Sequence, residues 1–289
     1  ASRRPIPFEK VRIEDAFWAP RMQANRMQGL ESVYKELEKT GRLGAYELNW
    51  APGSEHPQPH VFWDSDVAKW VEGACYSLIN HPDSKLRRKV DSVVDRILSA
   101  QGEDGYINPH FTVVEPAKRW ANLRDKHELY CAGHLIEAAI AHHRATGSRR
   151  FLDGMLRYAD LIERVFGRGD NQKRGYPGHQ ELELALIKLY RHTGKRKYLD
   201  LAAYFIEERG RLPHYFDAEA RERGEDPGDY WAKTHTYTQS HLPVREQKAV
   251  MGHAVRAMYL YSGMTDLLAE TGDETLLETL RTLWQDLTK

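Results

Sequence analysis

The chain has 289 residues, 41% of them hydrophobic and 29% charged, with 42 Lys and Arg balanced by 42 Asp and Glu. That composition belongs to a globular protein, and the length allows one large domain or two ordinary ones. The formal net charge of zero excludes the basic field that nucleic acid requires, and no apolar run is long enough to cross a membrane.

Residues 6–20 read as an extended entry, with Val11-Arg12-Ile13 alternating and Phe17-Trp18 as a surface anchor. The spacing of Met22, Leu30, Val33, Tyr34 and Leu37 predicts a helix over 21–40, ended by Gly41. Residues 42–63 carry Gly44, Pro52, Gly53, Pro57 and Pro59 without periodicity and read as a long loop. A repeated plan then begins. One helix is predicted over 66–80 and its return over 84–100. The second hairpin covers 128–146 and 150–166, the third 180–192 and 197–209, and the fourth 247–271 and 274–288. Long loops precede the first helix of each pair. The insertion at 210–245 is the longest of them and has room for a short β ribbon around 234–238. Thr146-Gly147, Thr193-Gly194 and Thr271-Gly272 mark three of the tight turns.

A period set by helix pairs signals stacked helical hairpins. The first helix of each pair is the more apolar, as in Ala138-Ala139-Ile140-Ala141, while the second carries charge, as in Lys85, Arg87, Arg88 and Lys89. The first helices therefore belong to an inner ring. The predicted fold is all-α, an (α/α)6 toroid of helical hairpins, incomplete here because four hairpins and a lone first helix fall short of six. Residues 1–289 read as the N-terminal portion of one α/α barrel, with every long loop walling the same mouth.

The polar chemistry gathers where the inner helices begin. Phe62-Trp63-Asp64-Ser65-Asp66 offers an aromatic face and two carboxylates, though Asp64 or Ser65 also reads as a helix cap. His127, Cys131 and His134 share a face, but lack the spacing of a zinc site; Cys131 reads as a small core residue, and His134 equally as a site residue or a satisfied core histidine. His127, His179 and His253 stand at the starts of three consecutive inner helices. Three imidazoles in that arrangement predict a ring that hydrogen-bonds a polyhydroxylated ligand, with Trp63 and Asp66 beside it. A glycosidase needs two reacting groups across the scissile bond; Asp64, Asp66, Glu128, Glu181 and Glu183 are candidates, and nothing in the sequence selects a pair. Glu181 and Glu183 fall on different faces of one helix.

In series, Phe62-Trp63-Asp64-Ser65-Asp66-Val67-Ala68-Lys69-Trp70, Gln101-Gly102-Glu103-Asp104-Gly105-Tyr106, His127-Glu128-Leu129-Tyr130-Cys131-Ala132-Gly133-His134, Gly178-His179-Gln180-Glu181, Pro243-Val244-Arg245-Glu246-Gln247 and Gly252-His253-Ala254-Val255-Arg256 resemble glycoside hydrolase family 127, the β-L-arabinofuranosidases. The resemblance covers essentially the whole chain. It implies an (α/α)6 catalytic barrel followed by β-sandwich domains, and a retaining mechanism with a zinc-bound cysteine nucleophile and a glutamate acid/base. What it carries onto this chain is substrate contact by His127, His179 and His253, and more loosely by Trp63 and Asp66. Cys75 and Cys131 do not match the family's zinc-binding cysteines. The expectation is zinc in the complete enzyme, none in these 289 residues, no catalytic residue among them, and no hydrolysis by the chain alone. A carbohydrate is the expected ligand, with a homodimer or the C-terminal remainder of the enzyme as the expected protein partner. With no signal peptide visible at Ala1-Ser2-Arg3-Arg4-Pro5 and too few cysteines for a disulfide framework, the expected location is cytoplasmic. Two other readings stand beside this one: a metal-independent α/α-barrel sugar enzyme such as an unsaturated glycuronyl hydrolase or epimerase, and a non-catalytic helical-repeat binding module.

Overall fold

The structure, a computed structural model, describes residues 6–289. The reading of residues 1–5 as lacking a signal peptide lies outside them. The first helical rod comprises α1 (Trp18–Ala24), a π turn (Asn25–Gly29) and α2 (Leu30–Lys39). It starts earlier than the apolar spacing predicts, because the Asp15 carboxylate accepts the backbone N–H groups of Phe17, Trp18 and Ala19. Pro20 then falls in the first turn, where no N–H is needed. The π turn inserts an extra residue and rotates the apolar stripe. Leu30 and Leu37 are buried, while Met22 and Val33, expected on the same side, are exposed.

Four hairpins follow: α3 (Trp63–Asn80) with α4 (Ser84–Ser99), α5 (Glu128–Thr146) with α6 (Arg150–Val165), α7 (Leu182–Thr193) with α8 (Arg196–Glu208), and, after the short α9 (Tyr215–Glu222), α10 (Ala254–Thr271) with α11 (Glu274–Leu287). Among the described residues there is no strand, only an isolated bridge between Phe166 and Lys173. Instead of a ribbon, His235–Thr238 forms a 3-10 turn, capped by the Thr234 side chain at the Thr236 N–H. The three Thr-Gly turns close alike: each Thr hydroxyl donates to the carbonyl four residues back at 2.6–2.8 Å, and each Gly caps its helix with a φ near 70°.

The inner helices pack in chain order, α3 on α5, α5 on α7, and α7 on α10, with α4, α6 and α8 outside. The central member, α5, is buried continuously over residues 128–142. Its small side chains, Ala132, Gly133, Ala138, Ala139 and Ala141, let both neighbours approach it. Each fully buried Leu, Ile or Phe along these seams contributes about 1.5–3 kcal/mol. The result is an arc of an α/α toroid. At the α10–α11 end an apolar groove of 780 Å³ stays uncovered, lined by residues that include Met258, Leu280, Leu283 and Trp284. Trp284 is 65% exposed there.

Two expectations about helix starts need correction. Asp64 and Ser65 are not caps: α3 begins at Trp63, the Ser65 hydroxyl donates back to the Phe62 carbonyl at 2.8 Å, and Asp64 is sealed inside the first turn. His179 is not at the same step as its partners either. His127 and His253 are the caps of α5 and α10, whereas α7 is capped by Glu181, two residues after His179.

Candidate functional site

The loops before α5, α7 and α10 bring three imidazoles together. His127 lies 5.6 Å from His179 between ring centroids, and His179 lies 6.0 Å from His253. Tyr130, one turn into α5, packs 4.3 Å from His179, and Tyr259 on α10 lies 5.8 Å from it. Phe62 closes one flank at 5.7 Å from His127, and Tyr237 the other at 5.4 Å from His253. His127 holds a left-handed backbone, φ 37° and ψ 14°, which costs about 1 kcal/mol or more for a residue with a side chain. Its carbonyl accepts the Cys131 N–H at 2.9 Å, so the strained residue is locked at the head of the helix.

Hydrogen bonds assign the tautomers. The Nδ1–H of His127 donates to the Asp125 carbonyl at 2.9 Å, and that of His179 to the Gln180 carbonyl at 2.8 Å. Both Nε2 atoms are then acceptors. In His253 the Nδ1 instead accepts the Arg256 N–H at 3.3 Å, so its Nε2 carries the proton. Burial drives His127 down to about 4 and His179 to about 3, and pulls His253 lower as well; the nearby Arg256 guanidinium pushes all three the same way. The mouth thus holds neutral imidazoles, two presenting acceptors and one a donor, which is the mixed lining that a ligand with several hydroxyls needs.

Arg256 was not singled out by the sequence reasoning, which saw it only as the end of a motif. It is buried, donates to the Gly178 carbonyl at 3.1 Å, and stacks 4.7 Å over Tyr237, while its Nε finds no partner. Tyr130 was also missed. Its hydroxyl accepts from Lys69 Nζ at 2.6 Å, leaving its own proton to donate. Both residues recur one helical turn after a mouth histidine, His127 to Tyr130 and His253 to Arg256, which is the signal that could have found them.

Trp63 and Asp66 are both engaged by Arg42. Its guanidinium sits 5.1 Å over the Trp63 ring, and its Nε donates to Asp66 at 2.8 Å. These two are set around an arginine that the sequence reading placed only in a loop.

The carboxylate candidates separate clearly. Asp64 and Glu128 are each 1% exposed. Burial raises Asp64, beside the Tyr46 hydroxyl, to about 7, although neither of its oxygens meets a well-formed hydrogen bond. Burial raises Glu128 to about 8, where it is held by the Tyr106 hydroxyl and, at 2.9 Å, by the Trp120 N–H. Glu183 turns away to the buried Arg209 at 3.1 Å, while Glu181 points beneath the mouth, 3.5 Å from His134. Glu181 and His134 are both buried and face one another at that distance, beyond a formed hydrogen bond. The more open carboxylates, Asp66 and Asp125, are both paired with arginines. Cys131 packs against the Val61 carbonyl at 3.5 Å, and both cysteines are buried and free.

An arc of α/α hairpins whose mouth is neutral, hydrogen-bonding and aromatic places the chain among the helical toroids. The chain belongs to the GH127 β-L-arabinofuranosidase family, whose catalytic-domain model matches residues 10–289. It is 37% identical over 233 residues to the non-reducing end β-L-arabinofuranosidase of Bifidobacterium longum, covering 78% of this chain and 35% of that protein. A crystal structure of a GH127 β-L-arabinofuranosidase from Geobacillus stearothermophilus T6 superposes with a TM-score of 0.93 at 46% identity, over 97% of this chain and 45% of that one. A second GH127 β-arabinofuranosidase structure gives 0.85 at 38% identity, over 98% and 43%. The chain therefore spans less than half the length of these relatives.

Proposed function

We propose that the mouth of this arc binds the terminal β-L-arabinofuranosyl ring of a glycoside substrate, and that the chain is the substrate-holding part of a glycosidase's catalytic domain. The observation that carries this reading is the tautomer pattern. The Nε2 atoms of His127 and His179 accept sugar hydroxyls, the Nε2–H of His253 and the Arg256 guanidinium donate, and Tyr130 and Tyr259 supply ring faces. Trp63 and Asp66, steadied by Arg42, extend the wall on the Phe62 side.

Glycoside hydrolysis by the usual route needs an acid and a second reacting carboxylate or thiolate at the bond. Here Asp64, Glu128 and Glu181 are sealed and Asp66 and Asp125 are paired with arginines, so we assign these residues to binding and support. Zinc is the family's implied cofactor, and the donors here do not fit it. Cys75 and Cys131 lie on different helices, α3 and α5, both buried and free, and the Cys131 thiol is turned to the Val61 carbonyl. Among the described residues no three His, Cys, Asp or Glu side chains converge on one point. The apolar groove between α10 and α11 is the surface we assign to further hairpins of the enzyme or to a second copy.

The test is incubation of the 289-residue protein with 4-nitrophenyl β-L-arabinofuranoside. The expected result is saturable binding without release of nitrophenol. Turnover at enzymatic rates would overturn the assignment of the reacting groups to other residues, and absence of binding would overturn the reading of the mouth.

A further inference from the structure

Beyond the histidines, the ring-to-ring contacts continue outward. From His253 the next ring is Tyr237, 5.4 Å away at 68°, and from Tyr237 the next is Trp231, 4.6 Å away at 73°. Each step is comparable to the width of one monosaccharide. Trp231 ends the series 66% exposed, although it sits in the loop that joins α9 to the 3-10 turn.

The inner half of this wall is rigidly built. Gln239 Nε2 donates to the Met251 carbonyl at 2.9 Å and the His253 carbonyl at 3.2 Å, while the His253 N–H donates to the Tyr237 carbonyl at 3.2 Å. Gln180 and Arg209, both buried, donate to the Thr238 carbonyl at 3.0 and 2.9 Å. Gly252 lies so close that a Cβ there would come within 1.9 Å of the Thr236 carbonyl oxygen. Arg256 braces the Tyr237 ring from behind at 4.7 Å. Tyr237 is therefore fixed to the same frame as His253. Trp231 stands on it edge-on, and Lys233, two residues further on, is tied back by a 2.7 Å bond to the Gly228 carbonyl.

A flat, exposed indole held two rings from a hydrogen-bonding mouth fits the apolar C–H face of a sugar. We propose that Trp231, backed by Tyr237, is the subsite for the second sugar ring, on the leaving-group side of the bond, and so selects arabinofuranosyl oligosaccharides over single residues. This rests on the reading of the mouth given above, and on the likeness to the Bifidobacterium longum non-reducing end β-L-arabinofuranosidase. A terminal ring held at the histidines leaves the remainder of the substrate to run along one wall, and the Tyr237–Trp231 wall is contiguous with His253.

The experiment titrates the 289-residue protein and its Trp231→Ala and Trp231→Phe variants with two probes, methyl β-L-arabinofuranoside and the methyl glycoside of the corresponding β-L-arabinofuranosyl disaccharide. The wild type is expected to bind the disaccharide more tightly. Trp231→Ala should weaken disaccharide binding about tenfold and change monosaccharide binding by less than about twofold, with Trp231→Phe retaining most of the preference. The disaccharide should also shift the tryptophan emission of the wild type, and that shift should shrink in Trp231→Phe. Equal affinity of the wild type for the two probes, no effect of Trp231→Ala on the disaccharide, or an equal loss for both probes would each overturn the subsite. A wild type that binds neither probe would instead remove the reading of the mouth, and the subsite with it.

Discussion

Replacing Gly133 by alanine poses a sharp conflict between local and tertiary effects. Gly133 lies within α5, where alanine should gain about 1 kcal/mol from helix propensity alone. A Cβ at this position would meet Glu181 Oε2 at 1.5 Å, its carboxyl carbon at 2.7 Å, and the Leu182 Cα at 2.9 Å. The carboxylate can swing only within a fully buried space already shared with His134, and the Leu182 backbone is the first turn of α7. Relief therefore means separating α5 from α7 along an inner-ring seam. Overpacking of this kind costs about 1–3 kcal/mol, and the contact with backbone places the cost at the upper end, so the variant should be destabilised by a net ~1–2 kcal/mol despite its better helix former. For a chain of this size that corresponds to a fall in Tm of roughly 2–8 °C. Urea denaturation of Gly133→Ala, Glu181→Ala and the double variant measures it. The double variant should lose less than the two single losses added together, because Glu181→Ala empties the space that the new methyl needs. A Gly133→Ala protein as stable as the wild type, or additive losses in the cycle, would refute the packing of α5 on α7 as described.

Arg209 is fully buried, donating to Glu183, to the Pro177 carbonyl at 2.6 Å and to the Thr238 carbonyl at 2.9 Å. Arg209→Met should cost about 3–5 kcal/mol by urea denaturation, since it strands the Glu183 charge, and adding Glu183→Gln should recover part of that loss. Stability should also depend on Glu128, whose folded value of about 8 lies above the ordinary carboxyl range. Its contribution is complete below pH ~4 and is lost as pH rises toward 8, because the folded state holds a proton that the unfolded chain releases. Glu128→Gln should flatten the fall in urea midpoint between about pH 5 and pH 8, and an unchanged slope would count against a neutral buried carboxyl. Gly252→Ala, whose new methyl would strike the Thr236 carbonyl oxygen in a position with φ +78°, should displace His253 and Tyr237. Its signature is a shifted His253 imidazole resonance with a nearly unchanged far-UV spectrum.

How far this architecture was legible in the sequence depends on the range of the forces involved. Hairpins were readable because their signals are local: Thr146-Gly147, Thr193-Gly194 and Thr271-Gly272 each put a left-handed glycine directly after a helix. The inner ring was readable because α5 carries the apolar run Ala138-Ala139-Ile140-Ala141, whereas its outward neighbours carry charge on one face. The grouping of His127, His179 and His253 followed from the repeat, even though His179 stands two residues before its helix cap. What stayed hidden involved distant partners. Nothing near Arg42 in the chain announces that it will pair with Asp66 and cover Trp63. Helix α9 was missed because only Phe216, Glu219 and Ala220 turn inward, too few to establish a period; its anchor is Glu219 accepting the Leu123 N–H at 2.6 Å from 96 residues away. Arg256 read only as the end of a motif, and its place beside the imidazoles depends on the packing of α10.

The central claim is that these imidazoles, neutral and held in fixed tautomers beside Arg256, form a furanoside site. Calorimetric titration of the 289-residue protein with methyl β-L-arabinofuranoside tests it most directly. Binding is expected at one saturable site per chain, weakened about 3–10-fold by His179→Ala through the loss of one neutral hydrogen bond of ~1 kcal/mol. Binding that is absent in the wild type, or that His179→Ala leaves unchanged, would contradict it.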